Sequence, residues 1–288
     1  MNNYLLATVL GVIEGLTEFL PVSSTAHLRL SEALLGISLS DGYWKMFTIV
    51  IQLGAILCLP IYFWKRITAF FASFPGKSVL THPISLTAIA FVVTSATSLP
   101  LQKVIGKNLE SLYVMAGAFI IGGVVMWLVD AKYGSFHAGA SEADAAKELE
   151  GMSVGQSIWI GLCQTLAPVF PGTSRSMATI ASGQISGLSR TAALEFSFLL
   201  SIPTMAAATG YDLLKFIRGA KTGADPAPPD DGWILLAIGF VISFVVAYAV
   251  VAWFMHWVRH RGFTPFAIYR ILLGAAVLVW ALNATHSI

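Results

Sequence analysis

Apolar residues run along this chain in long blocks. Those near residues 45–64, 84–101, 112–130, 191–216, 232–257 and 265–283 each approach the ~20 apolar residues that a helix needs to cross a bilayer. They predict six transmembrane helices. Aromatic residues gather at their ends (Trp44, Tyr62, Trp64, Tyr113, Trp127, Trp233 and Trp257), as amphipathic rings do at the membrane–water boundary. Two further apolar segments, about 4–36 and 155–188, are interrupted midway by Pro, Gly, Ser and Thr. Neither reads as a clean span. Each fits a re-entrant helix–loop–helix hairpin, because irregular backbone at membrane depth survives only inside protein or beside a wet cavity.

The two broken segments resemble each other. When Gly11 is set against Gly161, Glu14 meets Gln164, Leu16 meets Leu166, Pro21 meets Pro171 and Ser24 meets Ser174. Each segment is followed by three spans, an odd number, so the second copy enters from the opposite side. The expectation is an inverted-topology repeat within a single membrane domain, residues 1–288. Repeat one covers about 4–131 and repeat two about 155–284, with a linker over 132–153. Such repeats place sites at their interface, near the bilayer midplane. The small-residue-rich, acidic loop Lys132–Met152 reads as flexible, and the Pro-rich loop Gly219–Gly232 cannot be helical throughout. Lys and Arg are nearly balanced between the two sides, so they do not orient the protein.

Composition sharpens this picture. Of 288 residues, 56% are hydrophobic and 11% charged, and mean hydropathy is +0.76. Soluble domains carry about 25% charged residues, so only an all-α polytopic membrane protein fits. A net charge of +2, spread over loops, gives no footprint for nucleic acid. Cys58 and Cys163 lie in apolar segments and read as free packing residues. The start, MNNYLLATVLGVIEG, has no positively charged leader and does not read as a cleavable signal peptide.

The first broken segment reads Glu14-Gly-Leu-Thr-Glu18-Phe-Leu-Pro21-Val-Ser23-Ser24-Thr25-Ala-His27. Glu14 and Glu18 share a helix face, and intramembrane carboxylates need a metal, a proton or an arginine to offset them. Ser23, Ser24 and Thr25 follow the break, where a new helix would offer backbone N–H groups to an anion. The plainer alternative is that the hydroxyls only cap a helix. The second segment reads Pro171-Gly172-Thr173-Ser174-Arg175-Ser176-Met177-Ala178-Thr179. Gly172 allows close backbone approach, the hydroxyls can take phosphate oxygens, and the planar guanidinium of Arg175 suits a phosphate. Its alternative is a structural bridge from Arg175 to Glu14 or Glu18. The two segments are expected to meet in space. His27 is a candidate acid or base, Glu195 a support or cavity residue, and Gln52 an interhelical hydrogen bonder. Arg259, Arg261 and Arg270 read as interfacial anchors.

These residues resemble the undecaprenyl-diphosphatase, or bacitracin-resistance, family. EGLTEFLPVSSTAH is similar to its first signature and PGTSRSMAT to its second, P-G-x-S-R-S-x-x-T, at every fixed position. LEFSFLLSIPTM and FTPFAIYR also look like that family. Met177 stands where the family often has glycine. The resemblance implies hydrolysis of undecaprenyl diphosphate to undecaprenyl phosphate, dependent on a divalent cation (Mg²⁺ or Ca²⁺), and resistance to bacitracin. It implies a multi-pass protein of the bacterial plasma (inner) membrane whose site faces outward, with membrane lipids as partners and a homodimer among the expected assemblies. Carried onto this chain, Glu14 and Glu18 serve the metal and Arg175 binds phosphate. Ser24, Ser174, Ser176 and Thr179 line the site, and His27 acts in proton transfer or attack; from the residues themselves, Ser23, Thr25, Gly172 and Thr173 are further substrate-binding candidates. The nucleophile stays open between water, Ser24 and His27. The rival reading is a transporter or flippase for a phosphorylated lipid or solute.

Overall fold

Proline, glycine and hydroxyl residues set where the helices stop. A computed structural model describes residues 2–37, 41–74, 78–101, 111–134, 148–221 and 231–285, and its regular structure is helical throughout. Helix α1 (Asn3–Thr17) is capped by the Asn2 side chain, which accepts the Tyr4 N–H, and it ends before the Pro21 break. Then come α2 (Ser24–Leu34), α3 (Gly42–Tyr62), α4 (Trp64–Ser73), α5 (Pro83–Ser98) and α6 (Leu112–Tyr133). The second broken segment supplies α7 (Val154–Gln164), the single turn α8 (Leu166–Val169) and α9 (Arg175–Ile185). A capping box of Ser153 and Gln156 starts α7. Helices α10 (Arg190–Lys221), α11 (Gly232–His260) and α12 (Thr264–Thr285) complete the chain.

Among the described residues, six helices are long and apolar enough to cross a bilayer: Gly42–Tyr62, Pro83–Leu101, Leu112–Tyr133, Arg190–Gly219, Gly232–His260 and Thr264–Asn283. They fall where the apolar blocks predict them. The aromatic ends Trp64, Tyr113, Trp127 and Trp233 are exposed, as a lipid interface allows. By contrast, α1 is about 22 Å long and α7 about 16 Å at 1.5 Å per residue, short of the ~30 Å hydrocarbon core. Each packs against the helix beyond its break, α1 on α2 and α7 on α9.

The chain forms two compact units, and each draws on both halves of the sequence. Unit one contains residues 1–19, 24–64 and 201–252. Its core joins Leu6 and Leu10 of α1 to Leu28, Tyr43, Phe47 and Leu235. Gly11 lies against α11 so closely that a Cβ would sit 2.9 Å from the Gly239 carbonyl oxygen. Ser243 donates to the Ile51 carbonyl at 2.7 Å, and Gln52 accepts from Thr209 at 3.2 Å, the interhelical role expected of it.

Unit two contains residues 20–23, 65–200 and 253–288. In it α6 packs along α12, α5 along α7, and α9 against both α6 and α7. A Cβ on Gly161 would lie 2.6 Å from the Ala90 carbonyl oxygen, and Thr94 donates to the Gly161 carbonyl at 2.8 Å. Buried Asp130 joins three elements. It accepts from Arg190 Nε at 2.7 Å, from the Phe263 N–H at 2.9 Å and from the Thr264 hydroxyl at 3.1 Å.

The short helices α1 and α7 bury corresponding positions. Ala7, Leu10, Gly11 and Glu14 are among the six buried residues of α1, which also include Leu6 and Gly15, and Ser157, Ile160, Gly161 and Gln164 are those of α7. Gly11 rests on the middle one of the last three spans, and Gly161 on the middle one of the first three. The flexible-linker expectation needs correction at its end. Leu149 and Met152 are buried, and Glu148 accepts the Ser189 N–H at 2.9 Å. Apolar residues in that stretch found a core to enter. The rest of the linker, 135–147, and residues 222–230 of the second loop lie outside the described residues.

Candidate active site

Unit one holds a buried carboxylate cluster. Glu18 continues the turn of α1, its N–H donating to the Glu14 carbonyl at 2.9 Å, so the two side chains leave one helix face. Glu14 is 1% exposed, and neither carboxylate oxygen has a hydrogen-bond donor among the described residues. Glu18, also buried, accepts the Ser24 hydroxyl at 2.5 Å. Thr25 is exposed on the first turn of α2, and His27 is half-buried close behind it on the same helix. Among the described residues no third Asp, Glu, His or Cys gathers with these carboxylates. The two hard oxygens of Glu14, with no protein donor among the described residues, suit a divalent cation that fills its remaining positions with other oxygens.

Unit two holds the hydroxyl- and arginine-bearing second motif. Gly172 (φ 97°) and Ser174 (φ 68°) turn the chain sharply into α9. Ser174 Oγ caps that helix by accepting the Met177 N–H at 3.3 Å and lies 3.0 Å from Ser176 Oγ. Ser174 is thus the N-cap of α9. The remaining N–H groups of the first turn stay available to an anion. Arg175 is half-buried and donates to the Ser197 carbonyl at 3.4 Å. Thr179 Oγ1 lies 2.6 Å from Ser197 Oγ and can donate to the carbonyls of Arg175 or Ser176.

The break of the first segment, Leu20–Ser23, is part of this same unit. Ser176 donates to the Leu20 carbonyl at 2.9 Å, so here the two signature segments meet as expected. Ser23 has φ 71°, the counterpart of Ser174 at 68°. This corrects the alignment of the two segments beyond the break. Ser23, not Ser24, matches Ser174, and Ser24 matches Arg175, because the second break has one more residue between its proline and its serine. Positive φ at a non-glycine residue is costly, and its occurrence at both breaks marks a conformation held by its surroundings.

Arg270, expected at the interface, is instead 0% exposed. It donates to the carbonyls of Pro21 at 3.1 Å, Gly172 at 2.9 Å and Ala118 at 3.0 Å. The signal in the sequence is an arginine more than a turn inside an apolar span, where an ionisable residue is by default functional. Arg261 is exposed and lies over the Trp257 ring at 5.3 Å. Glu195 is buried and held by Arg66 Nε at 2.6 Å, a support whose partner the sequence does not reveal. Cys58 and Cys163 are free.

Beside the second motif, unit two carries an open apolar pocket of about 490 Å³, lined by Tyr113, Ile121, Phe170, Met177 and Ile185, with Thr173 at the motif. Met177 therefore helps to form an apolar wall, which a glycine at that position would leave open.

Known proteins resemble this chain along nearly its whole length. Residues 7–276 match the family described as bacitracin resistance protein BacA. A protein of Koribacter versatilis named undecaprenyl-diphosphatase is 62% identical over 293 aligned positions, covering 98% of this chain and 100% of the relative. Proteins of the same name from Rhizobium etli (strain CFN 42) and Thermus thermophilus are 41% and 40% identical, covering 99% and 93% of this chain and 99% and 94% of their own lengths. Matches that run this nearly end to end, over both broken segments and all six spans, place the chain in the BacA bacitracin-resistance family.

Proposed function

We infer that this multi-pass membrane protein hydrolyses undecaprenyl diphosphate to undecaprenyl phosphate and inorganic phosphate, recycling the carrier lipid and conferring resistance to bacitracin. The observation that carries this reading is the end-to-end identity with relatives of that name, with both signature segments intact. The chemistry at hand agrees. Phosphoryl transfer needs charge neutralisation and an aligned nucleophile more than elaborate covalent catalysis.

In this reading Arg175 binds the diphosphate, its planar fork taking two oxygens at once. The first turn of α9, with Ser174 and Ser176, adds N–H and hydroxyl donors. Glu14 and Glu18 would hold a divalent cation, Mg²⁺ or Ca²⁺, which when bound supplies neutralising charge to the phosphates. Ser24 hands its hydroxyl proton toward Glu18, which either activates that oxygen for attack or orients a water molecule. His27 is the other candidate for moving a proton at the attacking oxygen. The apolar pocket of unit two suits the first isoprene units of the tail.

The deciding experiment is phosphate release from undecaprenyl diphosphate by purified protein in detergent, where no transport can occur. Release that stops on adding a chelator is the expected result. Translocation in vesicles without release in detergent would establish a flippase instead. The same preparation reports whether the protein is a homodimer.

The inverted repeat and an outward-facing site in the bacterial plasma membrane belong to the same proposal. The matched burial of α1 and α7 supports the repeat. In a background lacking Cys58 and Cys163, single cysteines in the 132–152 and 219–232 loops should label from opposite sides of the membrane with an impermeant thiol reagent. Equal labelling from one side rules the inverted repeat out.

A further inference from the structure

Neither signature motif accounts for Arg270. It is fully buried in α12, and no carboxylate pairs with it among the described residues. Three carbonyls and the face of Phe119, 5.5 Å from its guanidinium carbon, take its charge, and Nε has no acceptor among the described residues. A buried cation without a counter-ion is costly, so fold stability alone does not explain its place. Gly122 of α6 leaves the room it needs, since a Cβ there would collide with the guanidinium.

The carbonyls it chooses are informative. Pro21 and Gly172 each stand two residues before the positive-φ serine of their break, Ser23 and Ser174. Across the first of these peptides the Val22 N–H donates to the Leu20 carbonyl at 2.7 Å, and across the second the Thr173 N–H donates to the Phe170 carbonyl at 3.0 Å. Each of the two peptide groups is therefore held at both ends. A peptide is planar, so fixing both ends fixes its orientation and constrains the torsions that lead into the strained serine. One planar fork reaches both signature breaks at equivalent positions, which a single-point ammonium cannot do.

We propose that Arg270 is a positioning residue for the hydrolase site, pinning the two breaks so that their hydroxyl and N–H groups hold the diphosphate in reacting geometry. The proposal rests on the phosphatase reading and goes beyond it, because Arg270 acts through Pro21 and Gly172 and not on substrate.

Arg270→Lys keeps the charge and loses the fork. In purified native and variant protein, two quantities are measured: the kinetics of phosphate release, and hydrogen–deuterium exchange of segments 20–23 and 171–176 without substrate. In the variant both segments should exchange faster, and kcat should fall roughly 100-fold with KM within about threefold of native, as expected when reacting groups shift by about an ångström. Arg270→Ala should regain at least about tenfold in kcat on adding guanidinium ion, with no gain from methylammonium. This second variant tests the same role if lysine prevents folding. Unchanged exchange at both breaks, a kcat near native in folded Arg270→Lys, or no guanidinium-specific rescue would overturn the proposal. A native protein that releases no phosphate, with the exchange difference still present, would instead refute the hydrolase reading and leave the positioning role standing.

Discussion

Arg175→Lys lowers phosphate release by about 100- to 1000-fold, the loss seen when one preorganised donor to a developing phosphoryl or oxyanion charge is removed. The reason is geometric. Lysine keeps the positive charge but offers a flexible point in place of a planar fork, so bidentate contact with phosphate is lost. Arg175 is half-buried at the start of α9, with one Nη on the Ser197 carbonyl. The substitution removes little packed surface, and the variant should elute and unfold like the native protein. Activity near the native level would reduce Arg175 to a counter-charge. Failure to fold would instead favour a structural bridge.

Glu18→Gln gives the second large loss, of the same order or greater, with Glu14→Gln somewhat milder. Glutamine preserves size and can still accept the Ser24 hydroxyl, but it can neither take that proton nor hold a cation with full charge. Glu18 is the more critical because it lies next to the break and already engages Ser24. If the pair holds a metal, both variants bind cation more weakly, and added Mg²⁺ or Ca²⁺ restores part of the activity of at least one. Proton handling alone predicts no rescue and a pH profile that loses one limb. The metal assignment fails if a chelator leaves native activity intact, or if both glutamine variants remain fully active.

Much of the architecture is legible in the sequence. The six spans follow from block length alone, because a bilayer imposes one dimension on every helix that crosses it. The two breaks are legible because proline and glycine in an otherwise apolar segment leave backbone groups that only a protein interior or a wet cavity can satisfy. The match of Gly11 with Gly161 is visible as well, and it carries the packing faces of α1 and α7 with it.

Other features escape the sequence because their meaning lies in partners distant along the chain. Residue type offers two roles for Arg270, a snorkelling anchor or a buried clamp, and only the positions of Pro21, Ala118 and Gly172 decide between them. Glu195 likewise needs Arg66 at 2.6 Å before it can be read as a held support. The one-residue shift between Ser23 and Ser174 is a torsional fact, invisible in an alignment that pairs serine with serine. By itself, then, the sequence determined the helices, the two breaks and the chemical types brought to them, because local composition and bilayer thickness act on contiguous residues. Only the tertiary structure decided which carbonyls and carboxylates each buried cation meets, because at membrane depth a charge is placed by the polar groups within reach of it, and those come from the far ends of the chain.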